Sequence, residues 1–187
     1  WLDINGARPA GSEYRASVSK MVQLLTGAGV AAVIDLHWTA DGSTMATKQT
    51  PMPDKSHAVD FWTSVADTFK GNPLVLFELY NEPFPDNGDV TNKTWACLQT
   101  GACDGVGGVD YPAAGLEDLL TAVRFTGATN VVLASGLVWT NHLDGWLTYR
   151  PTDPLRQLAA VWHSYDFNAC NAESCWDRTI ASVAAEH

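Results

Sequence analysis

Helical and extended patterns alternate along this chain of 187 residues, and the alternation predicts an α/β fold built on a parallel sheet. Two observations carry that reading. Four short apolar runs, Val30 to Leu36, residues 74–80, Asn130 to Ala134 and Leu158 to Trp162, have the composition of strands covered on both faces. Amphipathic stretches separate them, as parallel neighbours require, because such strands join through right-handed crossover helices.

Residues 13–26 open the chain's pattern with Val18, Met21, Val22 and Leu25 on one helical face, Ser12 as N-cap, and Gly27 or Gly29 as stop. The run VAAVIDL follows and ends in Asp35, Leu36, His37 and Trp38. After a Thr-, Asp-, Gly- and Pro-rich loop over 39–55, a second helix over 56–70 aligns Ala58, Trp62, Val65, Ala66 and Phe69. Gly71-Asn72-Pro73 stops it. The next segment, LVLFELYNEP, is the most informative of the chain. Its strand ends on Asn81-Glu82, and Pro83 blocks continuation because it lacks the N–H that a central strand needs. A charged side chain at such a position is costly to bury and marks chemistry.

A long loop is predicted over 84–110, then a third helix starting at Pro112 with Leu116, Leu119, Leu120 and Val123 on one face and Gly127 as terminator. The strand NVVLA leads into Ser135, Gly136, Leu137, Val138 and Trp139. Residues 140–156 are weakly patterned, with one helical turn near Leu143 to Leu147. The strand LAAVW ends in His163-Ser164-Tyr165, and a last helix begins near Cys175 and carries Trp176, Ile180 and Val183. Four β/α units are half of an eight-stranded barrel, which needs about 250 residues. The chain therefore reads as one partial barrel domain over residues 1–187, cut at both ends.

Composition narrows the partners. The formal net charge is −10 with only 11 Lys and Arg, which argues against nucleic acid and against an anionic membrane surface. No run is long enough for a membrane span. The chain opens on Trp1 with no visible signal peptide, the pattern of a processed or cut N-terminus. Eight Trp suit stacking on sugar rings, although half of them are expected in the core. The close pairs Cys97/Cys103 and Cys170/Cys175 read as two local disulfides in preference to a metal site, because no His lies at ligand spacing within either loop. Disulfides imply export, so a secreted, extracellular protein is expected. Asn92-Lys93-Thr94 is a glycosylation sequon.

Polar residues recur where strands end: His37 and Trp38, Asn81 and Glu82, Trp139 to Asn141, then His163 and Tyr165. In a parallel barrel that edge is where chemistry is done. The pieces VIDLHW, LVLFELYNEP and VWHSYDF resemble glycoside hydrolase family 5, the retaining cellulase and β-mannanase group with a (β/α)8 barrel. The resemblance covers essentially the whole chain, as an internal fragment spanning barrel strands three to six. It implies that Glu82 is the general acid/base and that Asn81 binds the 2-hydroxyl of the sugar at the cleavage point. It also implies that His37 lines that sugar's subsite, that His163 and Tyr165 flank the two carboxylates, and that the tyrosine hydroxyl orients the nucleophile. No metal or organic cofactor is implied.

Trp38 and Trp139 are stacking candidates, Trp162 reads as core, and Glu78 reads as a hydrogen-bonded interior residue rather than the second catalytic carboxylate. Asp35 and Asp166 read as supporting groups. In the family the nucleophile is a glutamate ending the seventh strand, and the chain stops at Ala185-Glu186-His187, on a helix before it. The arginine of the second strand and the tryptophan of the eighth are absent as well. The expected function is retaining hydrolysis of β-1,4-glycosidic bonds, an endo-β-1,4-glucanase acting on a β-linked polysaccharide. β-Mannanase of the same family and a non-catalytic carbohydrate-binding or pseudo-enzyme module are the alternatives. These residues by themselves are expected to be inactive and to self-associate through open barrel edges.

Overall fold

The computed structural model describes residues 11–186, so Trp1 lies outside the described residues. Its centre is a four-stranded parallel sheet in the order β1 (Ala32–Asp35), β2 (Val75–Glu78), β3 (Val132–Ala134), β4 (Leu158–Ala160). All four lie within the predicted runs. Sequential order with parallel pairing is what crossover connections produce. Register sets Asp35 against Glu78 and Glu78 against Leu133. Pairing persists beyond the strands proper, since Asn81 N donates to Leu36 O at 3.1 Å and Val161 N to Ala134 O at 3.1 Å.

Helix α2 (Ala58–Phe69) buries the five residues that the sequence aligned, and it packs against α4 (Leu116–Phe125). The α4 face is also the predicted one, with Ala122 added. Trp62 is fully buried, and its indole N–H donates to Leu79 O at 2.9 Å, satisfying the ring's one polar group. Trp146 does the same against Ala134 O at 3.0 Å. A buried Arg124–Asp153 pair ties the end of α4 to the segment before β4, and the same guanidinium donates to Ala128 O and Asn130 O. Both predicted disulfides form, Cys97–Cys103 and Cys170–Cys175.

The structure departs from expectation at five places. Helix α1 (Gly11–Gly27) buries Val22, but Met21 and Leu25 face outward, because the helix lies at the sheet's β1 edge with little to pack against. The loop 84–110 contains a helix, α3 (Asn92–Thr100), started by a reciprocal capping box between Thr91 and Thr94. Helix α4 begins at Leu116, not at Pro112, because residues 112–114 pair with 53–55 instead: Lys55 N donates to Pro112 O and Ala114 N to Pro53 O. Glu186 lies in a turn after the last helical segment, Ala181–Ala184. Trp162 sits past the end of β4, half-buried against the core.

Candidate active site

The carboxyl ends of the strands meet on one edge. Glu82 leaves β2's extension with φ of 50°, a left-handed conformation that costs about 1–2 kcal/mol in a residue other than glycine. Hydrogen bonds from two other residues hold the segment. The side-chain amide of Gln49 donates to Asn81 O at 2.7 Å and to Glu82 O at 2.6 Å, and Trp139 N donates to Pro83 O at 3.1 Å. Asn81 itself is buried.

His163 comes from the end of β4, its backbone N–H on Thr140 O at 3.0 Å and its carbonyl accepting from Asn141 Nδ2 at 2.7 Å. Its ring reaches two carboxylates. Nδ1 lies 2.9 Å from Glu82 Oε1, and Nε2 lies 3.6 Å from Glu78 Oε1. The interior position of Glu78 agrees with the sequence reading, but the expected hydrogen bond is missing from Oε1, which is buried with no hydrogen-bond partner beside its 3.6 Å ion-pair contact to His163. Burial pushes the Glu78 carboxyl above its ordinary value; the charges of His163 and His37 pull it down, and those of Asp35 and Glu82 push it further up. A general acid can be held against one side of such an imidazole while a second carboxylate occupies the other.

The remaining predicted residues fall around this centre. His37 is exposed, with Nδ1 2.7 Å from Asp35 Oδ2 and its ring 6.2 Å from that of Trp38 at a tilt of 44°. Trp139 stacks on Phe84, ring centroids 4.9 Å apart and planes within 10°. It lies in a run of three left-handed residues, Val138, Trp139 and Thr140, with φ of 56°, 52° and 63°. Gly88, at φ of +87°, approaches the same indole so closely that a Cβ would sit 3.0 Å from it. Tyr165 is exposed and stacks on Phe167, ring centroids 5.2 Å apart. Gln49 and the left-handed run were not anticipated. Nothing in a weakly patterned loop singles out one glutamine, and Val, Trp and Thr carry no signal of positive φ. Among the described residues no group of three or more His, Cys, Asp or Glu is arranged to hold a metal ion, and no helix is long and apolar enough to cross a membrane.

Parallel β/α units that collect carboxylates and imidazoles at the carboxyl ends of their strands define part of a (β/α)8 barrel enzyme. The chain belongs to the Cellulase family (glycosyl hydrolase family 5), whose model matches residues 3–185. It is similar in structure to XacCel5A in complex with cellopentaose, with a TM-score of 0.55, 23% identity, 88% of this chain and 49% of that chain covered. It is similar also to cellulase Cel5C_n, with a TM-score of 0.65, 21% identity, and 94% and 45% coverage. Cel5A (EG2) from Hypocrea jecorina (Trichoderma reesei) gives a TM-score of 0.62 at 18% identity, with 98% and 54% coverage. The chain therefore spans about half the length of these structures, and at such identities the likeness is one of fold.

Proposed function

We propose that the chain carries the acid/base half of a secreted retaining β-1,4-glycosidase, an endoglucanase acting on cellulose or mixed-linkage β-glucan. Glu82 is the general acid that protonates the leaving glycosidic oxygen and, in the second step, the base that activates water. The single observation that carries this is the 2.9 Å contact between Glu82 and His163 at the carboxyl edge of the sheet, beside the buried Glu78. The complex of XacCel5A with cellopentaose supports a β-linked glucan as substrate.

Asn81 is assigned to the 2-hydroxyl of the sugar at the cleavage point, His37 to its subsite, and Tyr165 to the nucleophile's surroundings. Trp139, backed by Phe84, and Trp38 offer stacking surfaces for flanking sugars. The nucleophile lies outside these four strands, on an element the barrel needs to close. The two disulfides support an oxidising, extracellular location.

Replacing Glu82 by Gln in the intact protein tests the reading. Hydrolysis of soluble β-glucan should fall by about 10²-fold to 10⁴-fold with the fold retained; undiminished activity overturns it.

A further inference from the structure

We propose that Gln49 is a positioning residue for the acid/base step: its side-chain amide clamps the Asn81 and Glu82 carbonyls and thereby holds the Glu82 carboxyl against His163. The inference rests on Glu82 being the acid/base.

Both amide protons are used, one on each of two successive carbonyls, at 2.7 and 2.6 Å. Those carbonyls flank the residue with φ of 50°, where the chain leaves the ladder and neighbouring strands no longer hold it. Left-handed backbone at a residue other than glycine persists only when its surroundings over-determine it. Glu82 and its two neighbours have only a few such restraints, and Gln49 supplies two of them.

The clamp is itself fixed. Thr50 O, one residue on, accepts from the buried Tyr80 hydroxyl at 2.7 Å, and Tyr80 directly precedes Asn81. Thr50 Oγ1 donates to Met52 O at 3.0 Å, the Tyr111 hydroxyl donates to that same carbonyl at 2.7 Å, and Asp54 N donates to Thr39 Oγ1 at 2.9 Å. The loop between β1 and α2 is thus stapled at both ends of the segment bearing Gln49. An unsupported Glu82 has lower-energy backbone conformations available, and the 2.9 Å contact with His163 Nδ1 belongs to the left-handed one. Misplacement of a reacting group by about 1 Å costs on the order of 10²-fold in rate.

The test compares leaving groups in the intact protein. A sugar leaving group needs a proton from the acid, whereas a dinitrophenolate leaves without one, and azide attacks the glycosyl-enzyme without help from a base. Gln49→Leu, of similar size but without donors, is assayed on soluble β-glucan and on dinitrophenyl β-cellobioside with azide present. The expected result is a loss of about tenfold to a hundredfold in kcat on β-glucan, with KM and the dinitrophenyl rate changed by less than about threefold. Equal losses on both substrates, or no loss on either, overturn the proposal, since a merely structural residue would not distinguish leaving groups. Where Gln49→Leu fails to fold, Gln49→Ala, whose vacated space admits water, must show the same selectivity, and a non-selective loss there also overturns it. Glu82→Ala is the parallel control: if it hydrolyses β-glucan undiminished, the acid/base assignment itself falls, an outcome separate from any result at position 49.

Discussion

Glu78 Oε1 lies 3.6 Å from His163 Nε2, while the opposite nitrogen of the same ring lies 2.9 Å from Glu82 Oε1. One imidazole thus separates two carboxylates that the same strand and its extension present.

Glu78 should leave a mark on the pH dependence of stability. Its folded-state pKa is raised above the ordinary value of 4.5, chiefly by burial. The native state then binds more protons than the unfolded chain, so its contribution is full below the ordinary value and is lost as pH rises through the raised one. Glu78→Gln abolishes that loss. Urea midpoints of the two proteins should diverge in favour of the variant as pH rises above the ordinary value of 4.5. A pH-independent difference contradicts this.

The Trp139 platform makes a separable prediction. Stacking of one aromatic ring contributes about 0.5–1.5 kcal/mol beyond area burial. Trp139→Ala should therefore raise KM for β-glucan oligosaccharides about threefold to tenfold and leave kcat within about twofold. An unchanged KM removes Trp139 from the binding surface.

In the core, Trp62→Phe keeps most of the apolar volume but deletes the donor to Leu79 O. A buried carbonyl left without its partner costs about 1–3 kcal/mol. Thermal unfolding monitored by calorimetry should show that loss. A wild-type melting temperature would mean that Leu79 O finds another donor.

A polypeptide limited to these 187 residues should release no reducing ends from soluble β-glucan, since the proposed nucleophile is not among its strands. Among the described residues strands β1 and β4 each pair on one side, and Val33, Val30 and Leu155 are exposed nearby. Gel filtration should show self-association rather than a stable monomer. Burst-phase hydrolysis, or a protease-resistant monomer, contradicts the respective half of this expectation.

Much of this molecule was legible in the sequence because its elements obey simple periods. The α2 and α4 faces follow the 3.6-residue repeat, and the four strands are apolar runs bounded by turn residues. The site's edge was legible for the same reason, since the place where each run stops fixes which side chains share it. Helix α3 was hidden by its short, mixed composition, although Thr91 and Thr94 at capping-box spacing marked its start. Gln49 was invisible because its partners are 32 and 33 residues away, and no local pattern encodes a contact of that range. The left-handed run at Val138 to Thr140 contradicts the residues' own preferences, so only tertiary packing explains it.

Glu82 and His163 stand 81 residues apart and on strands that are not neighbours, with β3 wedged between them. Their meeting therefore requires two consecutive crossovers to be complete, and loops of that span close late because their entropic cost precedes any reward. The contact between the two side chains thus forms only after both crossovers, and a mutation that merely loosens the middle strand would part the pair without touching either residue.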